Sequence, residues 1–128
     1  MTLRVPVSAG ELIDKITILQ IKLARIADPA KLENVRREHD ALVAVRDAAI
    51  APDAALADLT QRLRETNEAL WEIEDQIRDH ERAEDFGAAF IALARSVYRR
   101  NDVRAQLKRE INVHLKSALV EEKSYASY

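Results

Sequence analysis

The chain has no cysteine, and that absence removes disulfides, thiolate zinc sites and cysteine nucleophiles together. An intracellular, cytoplasmic location is the expectation that follows. Only two glycines occur, Gly10 and Gly87, too few for a phosphate-cradling loop. Serine-hydrolase, P-loop and dinucleotide-binding patterns are all missing. With three prolines and no alternating β-branched pattern, there is little material for turns or strands. No run of about eighteen apolar residues is found, and MTLRVPVSAG lacks the apolar core of a signal peptide. Neither a membrane span nor a signal segment is therefore expected. The formal net charge is only −2, which steers the whole molecule toward neither nucleic acid nor acidic lipid.

What remains is helix-forming material. A chain of 128 residues, 48% hydrophobic and 33% charged, suits one domain with its own core. The expected architecture is all-α: an elongated antiparallel bundle of four helices, or five if the last one breaks, with a long coiled-coil-like hairpin. Residues 1–128 form a single helical domain in this reading, with 1–7 an extended arm and 120–128 a tail.

Ser8 starts the first helix as N-cap, with Glu11 placed for a capping box and Val7 set against Leu12 as a hydrophobic staple. Leu12, Ile16, Leu19, Leu23 and Ile26 make an apolar seam that Ile13, Ile18 and Ile21 widen. So much apolar surface points to two packing neighbours or a second subunit, and hence to a homodimer. Asp28-Pro29 caps and opens a second helix running to about Ile50. Asp53 caps a third, whose seam Leu56, Leu59, Leu63, Thr66, Leu70, Ile73 and Ile77 predicts a long hairpin with the second. Asp85 is the expected cap of a fourth helix. Leu107, Ile111, Leu115 and Leu119 carry it past an interruption at Arg99-Arg100-Asn101-Asp102. Tyr125 and Tyr128 are placed to dock the tail.

Charge separates the third and fourth helices. Residues 53–85 hold eleven acids and four bases, a balance of minus 7, while 95–116 hold seven bases and two acids, plus 5. Pairing of these flanks across an antiparallel contact is one reading. Capture of a phosphate or carboxylate by Arg95, Arg99, Arg100, Arg104, Lys108 and Arg109 is the other. Nucleic acid is a lesser alternative, since only Tyr98 interleaves the bases.

Polar side chains at helical spacing define the candidate site. Asn67, Trp71, Glu74 and Arg78 form one stripe, and Arg95, Tyr98, Asn101, Arg104 and Lys108 form the opposing one. A polar cleft able to accept a small anion is the expected result, in a helical binding or assembly protein. The alternative is an enzyme on a phosphorylated or carboxylated substrate such as a sugar nucleotide, with Arg95, Arg104 and Lys108 as anion holders and Glu74 as acid or base. Glu11, Asp14, Glu74 and Asp75 are carboxylates of the kind that helical bundles use for divalent cations. The Glu-x-x-His pair of such sites is missing, so no metal and no cofactor is assigned. His39, His80 and His114 fall on or beside packing seams or on a basic face, positions of packed or solvated imidazoles.

Three segments, PVSAGELIDKITIL, NEALWEIEDQIR and LARSVYRRNDVRAQLKREIN running on to VEEKSY, resemble a family of small bacterial all-helical proteins classed as a domain of unknown function. The likeness spans most of the chain and implies a link to glycan metabolism rather than an activity. Lys116-Ser117-Ala118 departs from the glycine-containing helix stop expected there. A fainter likeness, of architecture alone, is to the helical chorismate mutases, which would cast Lys15, Lys22, Arg95 and Arg104 as dicarboxylate holders.

Overall fold

The computed structural model describes all residues 1–128. Four helices and no strands are present: α1 (Ala9–Arg25), α2 (Pro29–Ala49), α3 (Ala54–Arg82) and α4 (Ala88–His114). Three of the four starts are side-chain caps. The Ser8 hydroxyl accepts from the Glu11 amide at 3.1 Å, Asp28 from Lys31 at 3.0 Å and Asp53 from Leu56 at 2.7 Å. Each cap satisfies an amide that the helix itself cannot.

α1 is the central element, in contact with α2, α3 and α4. That position accounts for its apolarity within one chain: Leu12, Ile13, Ile16, Leu19 and Ile21 are all buried against these neighbours. The main cluster joins Ile13 to Leu56 and Leu63 of α3 and to Leu107 and Ile111 of α4. Burial of such side chains is worth about 1.5–3 kcal/mol each.

The long hairpin is α3 with α4, not α2 with α3. α2 packs on α1 alone and buries no residue completely. The tight corner after Arg25 folds α2 back on α1, whose apolar surface is wide enough to hold it as well as the hairpin. The fourth helix is continuous through Asn101, so the chain has four helices rather than five.

Both ends of α4 differ from the expected ones. Its N-cap is Gly87, because the Asp85 carboxylate is taken by the Gly87 amide at 3.2 Å and Asp85 itself closes the end of α3 through the His80 carbonyl. At the other end the helix stops at His114, before Leu119. The Ser117 amide returns to the Asn112 carbonyl at 2.8 Å and Lys116 to Val113 at 3.2 Å, with Lys116 at φ 52°. This is a Schellman stop with lysine where glycine is usual. Glu84, at φ 53°, ends α3 in the same way. Beyond the stop the chain runs back over α4. Tyr128 stacks edge-on against Tyr98 at 5.0 Å and donates to Asp102 at 2.7 Å, whereas Tyr125 stays exposed. Residues 1–7 form an exposed arm without helix or strand.

Candidate functional site

Polar groups are buried where α1 crosses α3 and α4. Asp14 and Thr17, three apart on α1, face inward and are 1% and 0% exposed. The Asp14 carboxylate accepts from Arg104 twice, from Nε at 2.9 Å and from Nη2 at 2.6 Å. The Asn67 amide of α3 completes the set, donating to Asp14 and to the Thr17 hydroxyl at 3.0 Å each. A buried carboxylate is tolerable only when paired and hydrogen-bonded in this manner. Hydrogen bonding to Asp14 outweighs burial and holds the Arg104 pKa above its ordinary value, so the guanidinium is charged at every working pH.

One turn further along α4 lies a second ionic group. The Lys108 ammonium, its side chain 9% exposed, donates to Glu11 of α1 and to Glu121 of the tail, both at 2.7 Å. Burial pushes the Lys108 pKa down, but the hydrogen bonds to Glu11 and Glu121 together leave it above the ordinary 10.5. The Lys108 hydrogen bond also holds the Glu121 carboxyl below its ordinary 4.5. Next to this pair, α1 and α4 approach so closely that a Cβ at Gly10 would collide with the Lys108 carbonyl oxygen. The Gly10 amide donates to the Asn112 side chain at 2.6 Å, and Ala9 donates to the Ser117 hydroxyl at 3.1 Å. The opening amides of α1 are thus satisfied by Ser8, Ser117 and Asn112, leaving no free helix terminus there.

The bases of α4 therefore do not pair with the acids of α3. Arg104 and Lys108 pair with α1, Lys108 also with the tail, and Arg109 with Glu122 of the tail at 2.8 Å. The α3 acids that form ion pairs mostly do so within their own helix, as in Arg62–Asp58, Arg64–Glu68 and Arg78–Glu74. One link joins the two helix ends, His114 to the Asp53 cap at 2.8 Å.

Six of the nine residues expected at the site line one cleft of about 620 Å³: Asn67, Trp71, Glu74, Arg78, Asn101 and Arg104. Ile18, Ile21, Leu70, Asp75 and Val97 complete its walls. Lys108 belongs instead to the neighbouring bay with Glu11 and Glu121, and Arg104 borders both spaces. Tyr98 lies outside the cleft against Tyr128. Arg95 lies beside Tyr98, where its hydrogen bond, ahead of that from Arg99, holds the phenol below its ordinary 10.0. The four carboxylates Glu11, Asp14, Glu74 and Asp75 do not converge. Glu11, Asp14 and Glu74 each hold a different cation, and no group of acids and histidines forms a metal-binding cluster. Thr17 and Glu121 escaped the sequence reading. The signal for Thr17 was its spacing from Asp14 inside an isoleucine-rich face; Glu121 reaches Lys108 only through the helix stop.

Within the cleft, Arg104 uses Nε and Nη2 on Asp14, which leaves Nη1 without a partner in the chain, and the Asn101 amide makes no side-chain hydrogen bond. The cleft thus offers two donor groups in its lining, the Trp71 ring, and Glu74 and Asp75 as acceptors.

Fold and site together define a four-helix protein whose central helix is tied to α4 by partly buried ion pairs beside an open cleft of mixed polar and apolar lining. The chain belongs to a family of unknown function (DUF6165), whose model matches residues 3–128. No curated protein and no solved structure matches it.

Proposed function

We propose that this protein is a helical binding protein whose cleft between α1, α3 and α4 takes a small anionic ligand. The observation that carries this reading is the pair of uncommitted donors, Arg104 Nη1 and the Asn101 amide, facing a space of about 620 Å³. A guanidinium whose other edge is locked by a buried carboxylate is pre-organised, so a phosphate or carboxylate meets it at little entropic cost. Trp71 and the apolar wall of Ile18, Ile21 and Val97 would cover the uncharged part of the ligand.

A thermal-shift screen over nucleotides, sugar nucleotides and organic acids tests the proposal. Ligands that raise the melting temperature of the wild type should lose their effect in Asn101→Leu, a change outside the buried ion pairs. A screen without a hit, or hits that Asn101→Leu leaves intact, would count against the cleft.

Glu74 and Asp75 on the same wall support a second reading, an enzyme acting on such a ligand with Glu74 as acid or base. It requires turnover of a screened ligand that disappears in Glu74→Gln while binding persists.

We also infer a cytoplasmic homodimer. The location rests on the lack of cysteine. The dimer rests on exposed area: the chain leaves 8890 Å² accessible, about 2000 Å² more than a compact monomer of its mass. α2 has one neighbour only, and the arm leaves Leu3 and Val5 exposed. Sedimentation as a clean monomer at micromolar concentration would overturn it.

A further inference from the structure

The segment after the helix stop holds on to α4 by charge and by rings. Glu121 sits on Lys108 and Glu122 on Arg109, Tyr128 donates to Asp102, and Tyr128 stacks on Tyr98 with Arg99 5.9 Å from its ring centre. Leu119 and Val120 are 46% and 42% exposed, the Leu119 carbonyl accepts from the Ser117 hydroxyl, and the last regular element ends at His114, so no buried core anchors the segment. Contacts of this exposed kind contribute little each and weaken with salt.

Lys108 is different in kind. It is nine-tenths buried, and Glu11, on a helix that cannot move away without opening the core, holds it from one side. Its second carboxylate, Glu121, is half-exposed on the loose segment. Without the segment, Lys108, Arg104 and Arg109 would face Glu11, Asp14 and Asp102, and the partly desolvated ammonium would keep one carboxylate where it now holds two.

We propose that Lys108 is the anchor of an oxyanion site distinct from the cleft, that Glu121 occupies it in the unliganded protein, and that a phosphate- or carboxylate-bearing ligand binds there by displacing the segment Leu119–Tyr128. The Glu121 carboxylate, 2.7 Å from the ammonium, marks where the ligand oxygen sits. Arg109, freed from Glu122, supplies the adjacent donor. The segment acts as a built-in competitor. Ligand affinity is therefore reduced by the fraction of molecules in which it is closed. This site does not depend on the cleft being occupied.

The test titrates the full-length protein with inorganic phosphate and, separately, with succinate at constant ionic strength. Amide resonances of residues 119–128 report release of the segment. Wild type should show these resonances moving toward the positions of a free peptide as one or both probes bind. Glu121→Gln should bind about tenfold tighter, the factor expected if the segment is closed some nine-tenths of the time. Lys108→Met should not bind. A response to phosphate alone assigns a phosphorylated ligand, and a response to succinate alone a carboxylated one. Equal affinity in wild type and Glu121→Gln, resonances that stay in place, or no binding of either probe to Glu121→Gln would overturn the proposal. Should Lys108→Met fail to fold, the comparison of wild type with Glu121→Gln decides alone. A cleft ligand acting through Asn101 would leave residues 119–128 unmoved, which separates the two sites.

Discussion

Replacing Asp14 by asparagine keeps the shape of the side chain and removes its charge, leaving Arg104 opposite a neutral group and placing an amide where two donors converge. Breaking a fully buried ion pair from one side costs about 3–5 kcal/mol. The Arg104 side chain is 30% exposed, so water screens part of the orphaned charge, and about 2–3 kcal/mol is the expected loss. In a domain of this size that lowers the melting temperature by about 8–12 °C. Urea denaturation of Asp14→Asn, Arg104→Met and an Asp14→Leu/Arg104→Met double variant reads the effect directly. The double variant should recover to within about 1 kcal/mol of wild type, because removing both charges also removes their desolvation cost. A single-variant loss below about 0.5 kcal/mol, or simple additivity of the two changes, would refute the idea that this pair ties α1 to α4.

Other consequences are sharper in sign than in size. Gly10→Ala should destabilise by about 1–3 kcal/mol although alanine is the better helix former, because its Cβ meets the Lys108 carbonyl; a gain in denaturation midpoint would contradict the close approach of α1 and α4. Lys116→Gly should stabilise by about 1 kcal/mol by relieving the left-handed backbone at φ 52°, and Lys116→Ala should not. Leu19→Asp, at a site 3% exposed, should abolish the cooperative unfolding transition. Asp53 and Glu121 have carboxyl pKa values below their ordinary 3.8 and 4.5, Asp53 chiefly through the Leu56 amide and Glu121 chiefly through Lys108. Lowered folded values mean that both contributions are complete above those ordinary values and vanish as pH falls through the lowered ones. Stability should therefore be level on this account above about pH 5 and drop below about pH 4; a decline beginning near neutrality would contradict it.

Helix starts were legible where they depend on a few consecutive residues. Ser8, Asp28 and Asp53 cap as their side chains dictate. The start of α4 was misread because Asp85 has two competing uses, and its end because lysine took the left-handed position that glycine signals. Which helices pair was less accessible. The seam of α3 fits α2 as well as α4, and the outcome is decided by α1, whose apolar surface accommodates α2 on one side and the α3–α4 hairpin on the other. The polar stripe of α4 was visible from its period, since Tyr98, Asn101, Arg104 and Lys108 recur at three and four residues. Its partners were not, because Asp14 and Arg104 lie ninety positions apart in the chain and any acid of α3 would have served the pattern equally. Local charge totals pointed to α3; the inward pairs formed on α1, where Glu11 and Asp14 lie beside the close backbone approach at Gly10.

Trp71 is the single tryptophan and lines the cleft, so its fluorescence reports on that space. The most direct measurement is a fluorescence titration of the full-length protein with a ligand from the thermal-shift screen, on wild type and on Asn101→Leu. Occupation of the cleft predicts a saturable change in Trp71 emission in wild type, with the midpoint moved at least about tenfold higher in the variant, as expected for loss of one buried hydrogen bond to a charged group. A ligand that stabilises the protein while leaving Trp71 emission unchanged, or one that binds both proteins equally, would contradict it.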